Sequence, residues 1–119
     1  MDSKLLRQKM RQQRGALGSA EQTIASDSLY ANLRQCKIFS DARHIASYLA
    51  SDGEIDPARF IHWASTQAIH CYLPVISTQK NASMHFAELK PETCFKPNRF
   101  GIPEPAVKPA DLHSANKLD

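Results

Sequence analysis

The chain has 119 residues, 42% of them hydrophobic and 23% charged, with a formal net charge of +3 and a mean hydropathy of -0.44. That is the size of one ordinary domain, and its apolar runs of a few residues fall far short of the roughly 20 that cross a bilayer. No apolar stretch follows the N-terminal charges, so neither a secretory leader nor a membrane span is expected. The patterned Leu, Ile, Val, Phe and Trp argue against a disordered chain.

Residues 3–16 contain no proline and no β-branched residue and read as a helix. At 100° per residue Lys4, Arg7, Arg11 and Arg14 fall within roughly an 80° arc, with an apolar seam of Leu6, Met10 and Leu17 on its flank. Such a helix is expected to dock by the seam and hold its cations beside the docking line, with Gly15 and Gly18 marking its end. With Lys9, residues 1–14 hold five cations against Asp2 alone, a local +4 that leaves the rest of the chain at −1. Ser19-Ala20-Glu21-Gln22 has the form of a capping box, Ser at the N-cap and Gln three residues on. It opens a second helix to about Arg34, with Ile24, Leu29 and Leu33 inward.

Residues 43–50 suit a strand of imperfect alternation, and residues 51–57 a turn leading into a third helix. Asp56 is the expected N-cap and Pro57 the first helical residue, where a missing N–H is harmless. That helix runs to about Gln67 with Phe60, Ile61 and Ala64 inward, joined by Trp63. A second strand covers residues 69–76; Pro74 should drive its far end out of the sheet or to an edge. A third covers 84–89. Pro91, Pro97, Pro103, Pro105 and Pro109 then predict extended chain and turns. The element order implies an α/β layered sheet with a βαβ crossover and N-terminal helices. Residues 1–119 make one domain, with 91–119 as a proline-rich tail inside it.

Cys36, Cys71 and Cys94 are odd in number and form no CxxC pair, so each reads as a small buried hydrophobe in a reducing, cytoplasmic protein. The five histidines show no metal-ligand spacing. No GxSxG, Walker or GxGxxG loop is present. The cation row suits phosphate groups, although its spacing alone reads first as a solvated helix face. A nucleic-acid surface is not expected, because no aromatics interleave with the cations. Asp52-Gly53-Glu54 lies beyond a strand's carboxyl end, where α/β folds bind ligands; both acids also suit the N-terminus of the following helix.

Four segments, taken in order, carry a resemblance. They are Lys4-Leu5-Leu6-Arg7 with Met10 to Leu17, then Ser47 to Asp56 around the Asp52-Gly53-Glu54 turn, then Cys71-Tyr72-Leu73-Pro74-Val75, and finally Phe100-Gly101-Ile102-Pro103-Glu104-Pro105. Together they resemble the 5-formyltetrahydrofolate cyclo-ligase (5,10-methenyltetrahydrofolate synthetase) family. The resemblance implies an incomplete Rossmann-like cyclo-ligase fold and an ATP- and Mg²⁺-dependent closure of 5-formyltetrahydrofolate to 5,10-methenyltetrahydrofolate. In the family's scheme the formyl oxygen attacks the γ-phosphate, and N10 closes the ring as phosphate leaves. By position, the resemblance assigns Lys4 and Arg7 to the nucleotide and Arg7, Leu49 and Glu54 to the folate.

Departures from the family pattern are few but visible. Lys4 stands two places before Leu6 where the family often has its basic residue three before, and Pro57 replaces a threonine. The family also continues into a glycine-rich phosphate loop, so this chain resembles its N-terminal half to two-thirds. Impaired turnover and self-association through an unfinished sheet edge are therefore expected. The alternative is a non-catalytic module that keeps a folate or nucleotide pocket, or pairs with another subunit.

Overall fold

A computed structural model describes residues 2–76 and 84–119. Asp2 starts the first helix: its carboxylate accepts the Lys4 N–H at 2.9 Å, so α1 runs over Ser3–Gly15. Its seam does not dock. Leu6, Met10 and Leu17 remain 46%, 39% and 44% exposed, and α1 buries no residue, so the helix is held by its cations instead.

Helix α2 spans Ser19–Gln35 and starts one residue earlier than its capping box suggests. Gly18 is the N-cap, no side chain caps the helix, and Ser19 already lies inside the first turn. Gln22 is drawn elsewhere, donating from Nε2 to the Gly53 carbonyl at 3.1 Å. Ile24 points outward at 66% exposure; the inward face is carried by Tyr30 and Leu33, which pack on the core. A short helix that the sequence pattern does not announce, α3 (Lys37–Asp41), follows.

The strand expected over 43–50 shortens to β1 (His44–Ala46). Helix α4 (Ala58–Thr66) crosses to β2 (His70–Val75), which pairs parallel with β1, giving the expected βαβ unit. Pro57 rather than Asp56 is the N-cap of α4, although the Asp56 carboxylate still accepts the Ala58 N–H at 2.9 Å. Phe60, Ile61 and Ala64 point inward as expected, onto Ile45, Ile69 and Cys71. The second face of α4 is fastened to α2: the Arg59 guanidinium lies 4.3 Å from the Tyr30 ring centre and bonds Asp27 at 2.8 Å.

Helix α4 ends in a Schellman arrangement. The Ile69 N–H reaches the Ala64 carbonyl at 3.1 Å across Ala68, which holds φ +58. Alanine in that left-handed region is strained, whereas glycine is not. Ala68→Gly is therefore expected to raise stability by up to about 1 kcal/mol, read as an upward shift of the denaturant midpoint.

Strand β3 (His85–Glu88) pairs antiparallel with β2, and β6 (Leu112–His113) with β3, so the order is β1-β2-β3-β6. A separate hairpin joins β4 (Phe95–Pro97) to β5 (Pro103–Pro105). Pro74 does not leave the sheet; it sits within a central strand opposite Phe86. The Leu89 N–H bonds the Cys71 carbonyl, so bonded pairs alternate through Leu73 and Val75, and Pro74 falls at a non-bonded position towards β3. Its nitrogen faces the β1 side, where the last ladder bond is that of the Ser47 N–H to the Tyr72 carbonyl at 2.8 Å.

The cysteines differ from expectation. Cys71 is buried, and burial pushes its thiol up to about 11, but Cys36 is half-buried and Cys94 exposed. At the far margin, the Asp119 carboxylate accepts the Arg43 and His44 N–H groups at 2.6 and 2.7 Å, and its own N–H bonds the His44 carbonyl. These bonds lower its pKa below the ordinary aspartate value. Among the described residues, no helix is long and apolar enough to cross a membrane.

Candidate functional site

Beyond Ser47, whose N–H still bonds the Tyr72 carbonyl at 2.8 Å, the first strand parts from its neighbour, and the gap becomes a cleft of about 230 Å³. One wall is Tyr48, Leu49, Ser51 and Glu54; the other is Leu73, Pro74 and Ile76 at the end of β2. Asn98, Ile102, Pro103 and Glu104 close it from the hairpin. Three sequence segments that lie far apart in the chain thus line one space. The volume is below the range of about 300–1,000 Å³ that holds a whole drug-sized ligand, so the cleft fits the head group of a larger molecule.

The turn that presents Glu54 is tightly specified. Glu54 N–H bonds the Ser51 carbonyl at 3.1 Å, and both residues between hold positive φ: Asp52 at +53 and Gly53 at +77. Glu54 folds back so that Oε1 accepts the Ser51 N–H at 3.0 Å and hydroxyl at 3.3 Å. Among the described residues Oε2 takes no hydrogen bond, and Glu54 is one of the residues that line the cleft. Tyr48 ties the far end of the loop, donating to the Ile55 carbonyl at 2.6 Å. Partial burial, with the charges of Glu54 and Asp56 beside it, raises the Tyr48 phenol above its ordinary pKa, so it remains a donor.

The opposite wall is set by Glu104, the buried charged residue at 8% exposure. Its Oε2 accepts the Ile76 N–H at 3.2 Å and the Asn98 amide at 3.3 Å, joining the hairpin to the end of β2. Asn98 Oδ1 in turn accepts the N–H groups of Phe100 and Ile102. Sequence reasoning alone misses both Asn98 and Glu104 as site residues. Glu104 stands within the last of the four segments, and that is the one available signal.

Of the residues assigned by resemblance, Leu49 and Glu54 meet in the cleft. Leu49 is also the party wall to a wider groove of about 680 Å³, lined by Ile61, His62 and Ser65 of α4 and by Leu89 and Pro91. Lys4 and Arg7 do not line the cleft. They are exposed on α1, about 10 Å and 6 Å along the axis from Arg11 at 1.5 Å per residue. Arg11 and Arg14, the other half of the cation row, bond Asp52: Arg11 Nε to Oδ2 at 2.7 Å and Arg14 Nη2 to Oδ2 at 3.4 Å. Both pairs are solvent-exposed, and such pairs contribute at most about 1 kcal/mol each. Among the described residues no three His, Cys, Asp or Glu side chains converge to hold a metal ion.

Comparison with known proteins gives the family and the fold. The family model of the 5-formyltetrahydrofolate cyclo-ligases matches residues 1–119. A 5-formyltetrahydrofolate cyclo-ligase of Haemophilus influenzae is 30% identical over 114 residues, 96% of this chain and 61% of its own length. The chain therefore spans about three-fifths of that relative. The 5,10-methenyltetrahydrofolate synthetase structure of Aquifex aeolicus superposes with a TM-score of 0.73 at 24% identity, over 96% of this chain and 59% of that one. That of Mycoplasma pneumoniae superposes with a TM-score of 0.64 at 19% identity, over 75% and 54%. The mixed sheet with its helices is the fold of those synthetases. The family match covers the segments that build the cleft and its mounting helix alike: the chain belongs to the 5-formyltetrahydrofolate cyclo-ligase family.

Proposed function

We propose that this chain carries the folate-binding part of an ATP-dependent 5-formyltetrahydrofolate cyclo-ligase. The observation that carries the reading is the convergence of the Glu54 turn, the Leu73-Pro74 strand end and the Ile102-Pro103-Glu104 segment on one cleft of head-group size. In this reading Glu54 Oε2 accepts N–H groups of the folate's amino-heterocycle, and Leu49 packs on its ring. Lys4 and Arg7 offer cations to the nucleotide phosphates.

The reaction asks little covalent help of the protein. The formyl oxygen bonds to the γ-phosphorus and ADP leaves; N10 then attacks the formyl carbon, closing the ring as inorganic phosphate departs. Both steps need positioned cations to spread the phosphoryl charge. The described carboxylates offer no metal cage, so Mg²⁺ would arrive on the ATP phosphates, as it commonly does in nucleotide-dependent enzymes. The three free cysteines accord with a cytoplasmic setting.

The test is calorimetric titration of the 119-residue chain with 5-formyltetrahydrofolate. Glu54→Gln is expected to weaken binding by about tenfold or more, since a hydrogen bond to a charged acceptor is worth about 1.5–3 kcal/mol. A folded chain that binds no folate overturns the reading. Formation of 5,10-methenyltetrahydrofolate by the chain alone is expected to be strongly impaired.

The same chain is expected to self-associate. Among the described residues the outer edge of β1 is bonded only by Asp119, and the groove beside Leu49 is largely apolar. Sedimentation as a compact monomer at all concentrations would set that expectation aside.

A further inference from the structure

Among the described residues, the side-chain hydrogen bonds between helix α1 and the rest of the fold meet at one joint. The helix buries no residue, and each of those bonds ends on Asp52. Arg11 and Arg14 hold the carboxylate, and Arg14 Nε also donates to the Asp52 carbonyl at 3.2 Å. Gly53 completes the joint by lying flat on α1: a Cβ there would stand 3.1 Å from Arg14 Cβ and 3.2 Å from its carbonyl carbon. Glu54 is the next residue.

We propose that Asp52 is a positioning residue that couples nucleotide binding on α1 to folate binding at Glu54. The proposal deepens the reading above and rests on it. The cation row divides along the helix axis into two pairs with different tasks: Lys4 and Arg7, exposed toward the N-terminal end of the same face, are left for phosphate, while Arg11 and Arg14 are engaged at the joint. A helix moves as a rigid rod, so a phosphate group drawing in Lys4 and Arg7 displaces the Arg11–Arg14 end against Asp52. The turn transmits that displacement to Glu54, one peptide beyond Gly53. Asp52 also holds a left-handed φ of +53, a region that aspartate and asparagine enter more readily than other side-chain-bearing residues. Because the ion pairs are exposed, their stabilising effect is small, and coupling can be separated from folding.

Asp52→Asn is the discriminating variant. Asparagine tolerates the left-handed region and matches aspartate in volume, but it removes the charge. Folate affinity of the full 119-residue chain is measured with and without Mg-ATP. In the wild type Mg-ATP is expected to tighten folate binding by about fivefold or more. In Asp52→Asn, and in the double variant Arg11→Gln with Arg14→Gln, that ratio falls to near one while affinity without nucleotide and Tm hardly change. A ratio retained in Asp52→Asn, or a wild-type ratio of one, overturns the coupling.

Hydrogen exchange keeps the joint testable without ligand. Amides of residues 3–15 are expected to exchange several-fold faster in Asp52→Asn, while those of β2 and α4 do not change. Unchanged exchange in α1 overturns the joint itself. A wild type that binds no folate but shows this exchange pattern overturns the functional reading and leaves the joint standing.

Discussion

Phe60→Ala is expected to destabilise the chain by about 3–5 kcal/mol, the range for a deleted buried aromatic. Phe60 is 5% exposed, meets Phe39 edge-on with ring centres 5.7 Å apart, and lies 5.6 Å from Trp63. It is where α3, α4 and the sheet meet, so a cavity there loosens every layer. Small domains are stable by about 5–15 kcal/mol in total, and such a loss removes a large part of that. Thermal unfolding should show Tm lower by more than about 10 °C. A shift of only a degree or two would mean that the layers do not depend on this ring.

Gly53→Ala should have the largest effect on the site. Two penalties coincide: a left-handed φ of +77, at about 1–2 kcal/mol for a side-chain-bearing residue, and a Cβ pressed onto the Arg14 backbone. The backbone of α1 cannot yield as a flexible side chain would, so α1 must shift. Glu54 moves with the turn, and 5-formyltetrahydrofolate affinity is expected to fall by about tenfold or more as its charge-assisted hydrogen bond is lost. Gly101 is the control. It holds the same φ of +77, but a Cβ added there would meet nothing within 4 Å, so Gly101→Ala incurs the strain alone. Unchanged folate affinity in Gly53→Ala would show that the turn absorbs the Cβ without moving Glu54.

How far the sequence reveals this molecule depends on the range of the forces involved. The inward face of α4 is legible because Phe60, Ile61 and Ala64 follow helical periodicity, a local property. The βαβ order follows from the succession of strand, helix and strand. The capping box at Ser19 misplaces the helix start by one residue because Gln22 has a competing partner in Gly53, thirty-one positions away, that no capping rule can see. Of the two outcomes expected for Pro74, the strand end does not leave the sheet; its nitrogen faces an edge that opens where β1 stops, which its own strand does not encode. The seam of α1 shows the limit most plainly: its amphipathic pattern is real, yet Leu6 and Met10 stay exposed while Arg11 and Arg14 make the attachment. Glu54 and Leu49 are legible through motif resemblance. Glu104 and Asn98 emerge only once the hairpin is folded beside β2.

Pro74 has one more consequence. An open strip beside a strand invites another strand, from the same chain or a neighbour, to add itself and zip the gap shut. Beside the end of β2 that strip is the cleft, and the proline ring presents carbon where an added strand would need an N–H donor. The Ile76 N–H, the next donor along, is already taken by Glu104. A single missing hydrogen and one occupied one thus deny the template its pairing rungs, and the pocket persists as an opening in the sheet that extended polypeptide cannot fill.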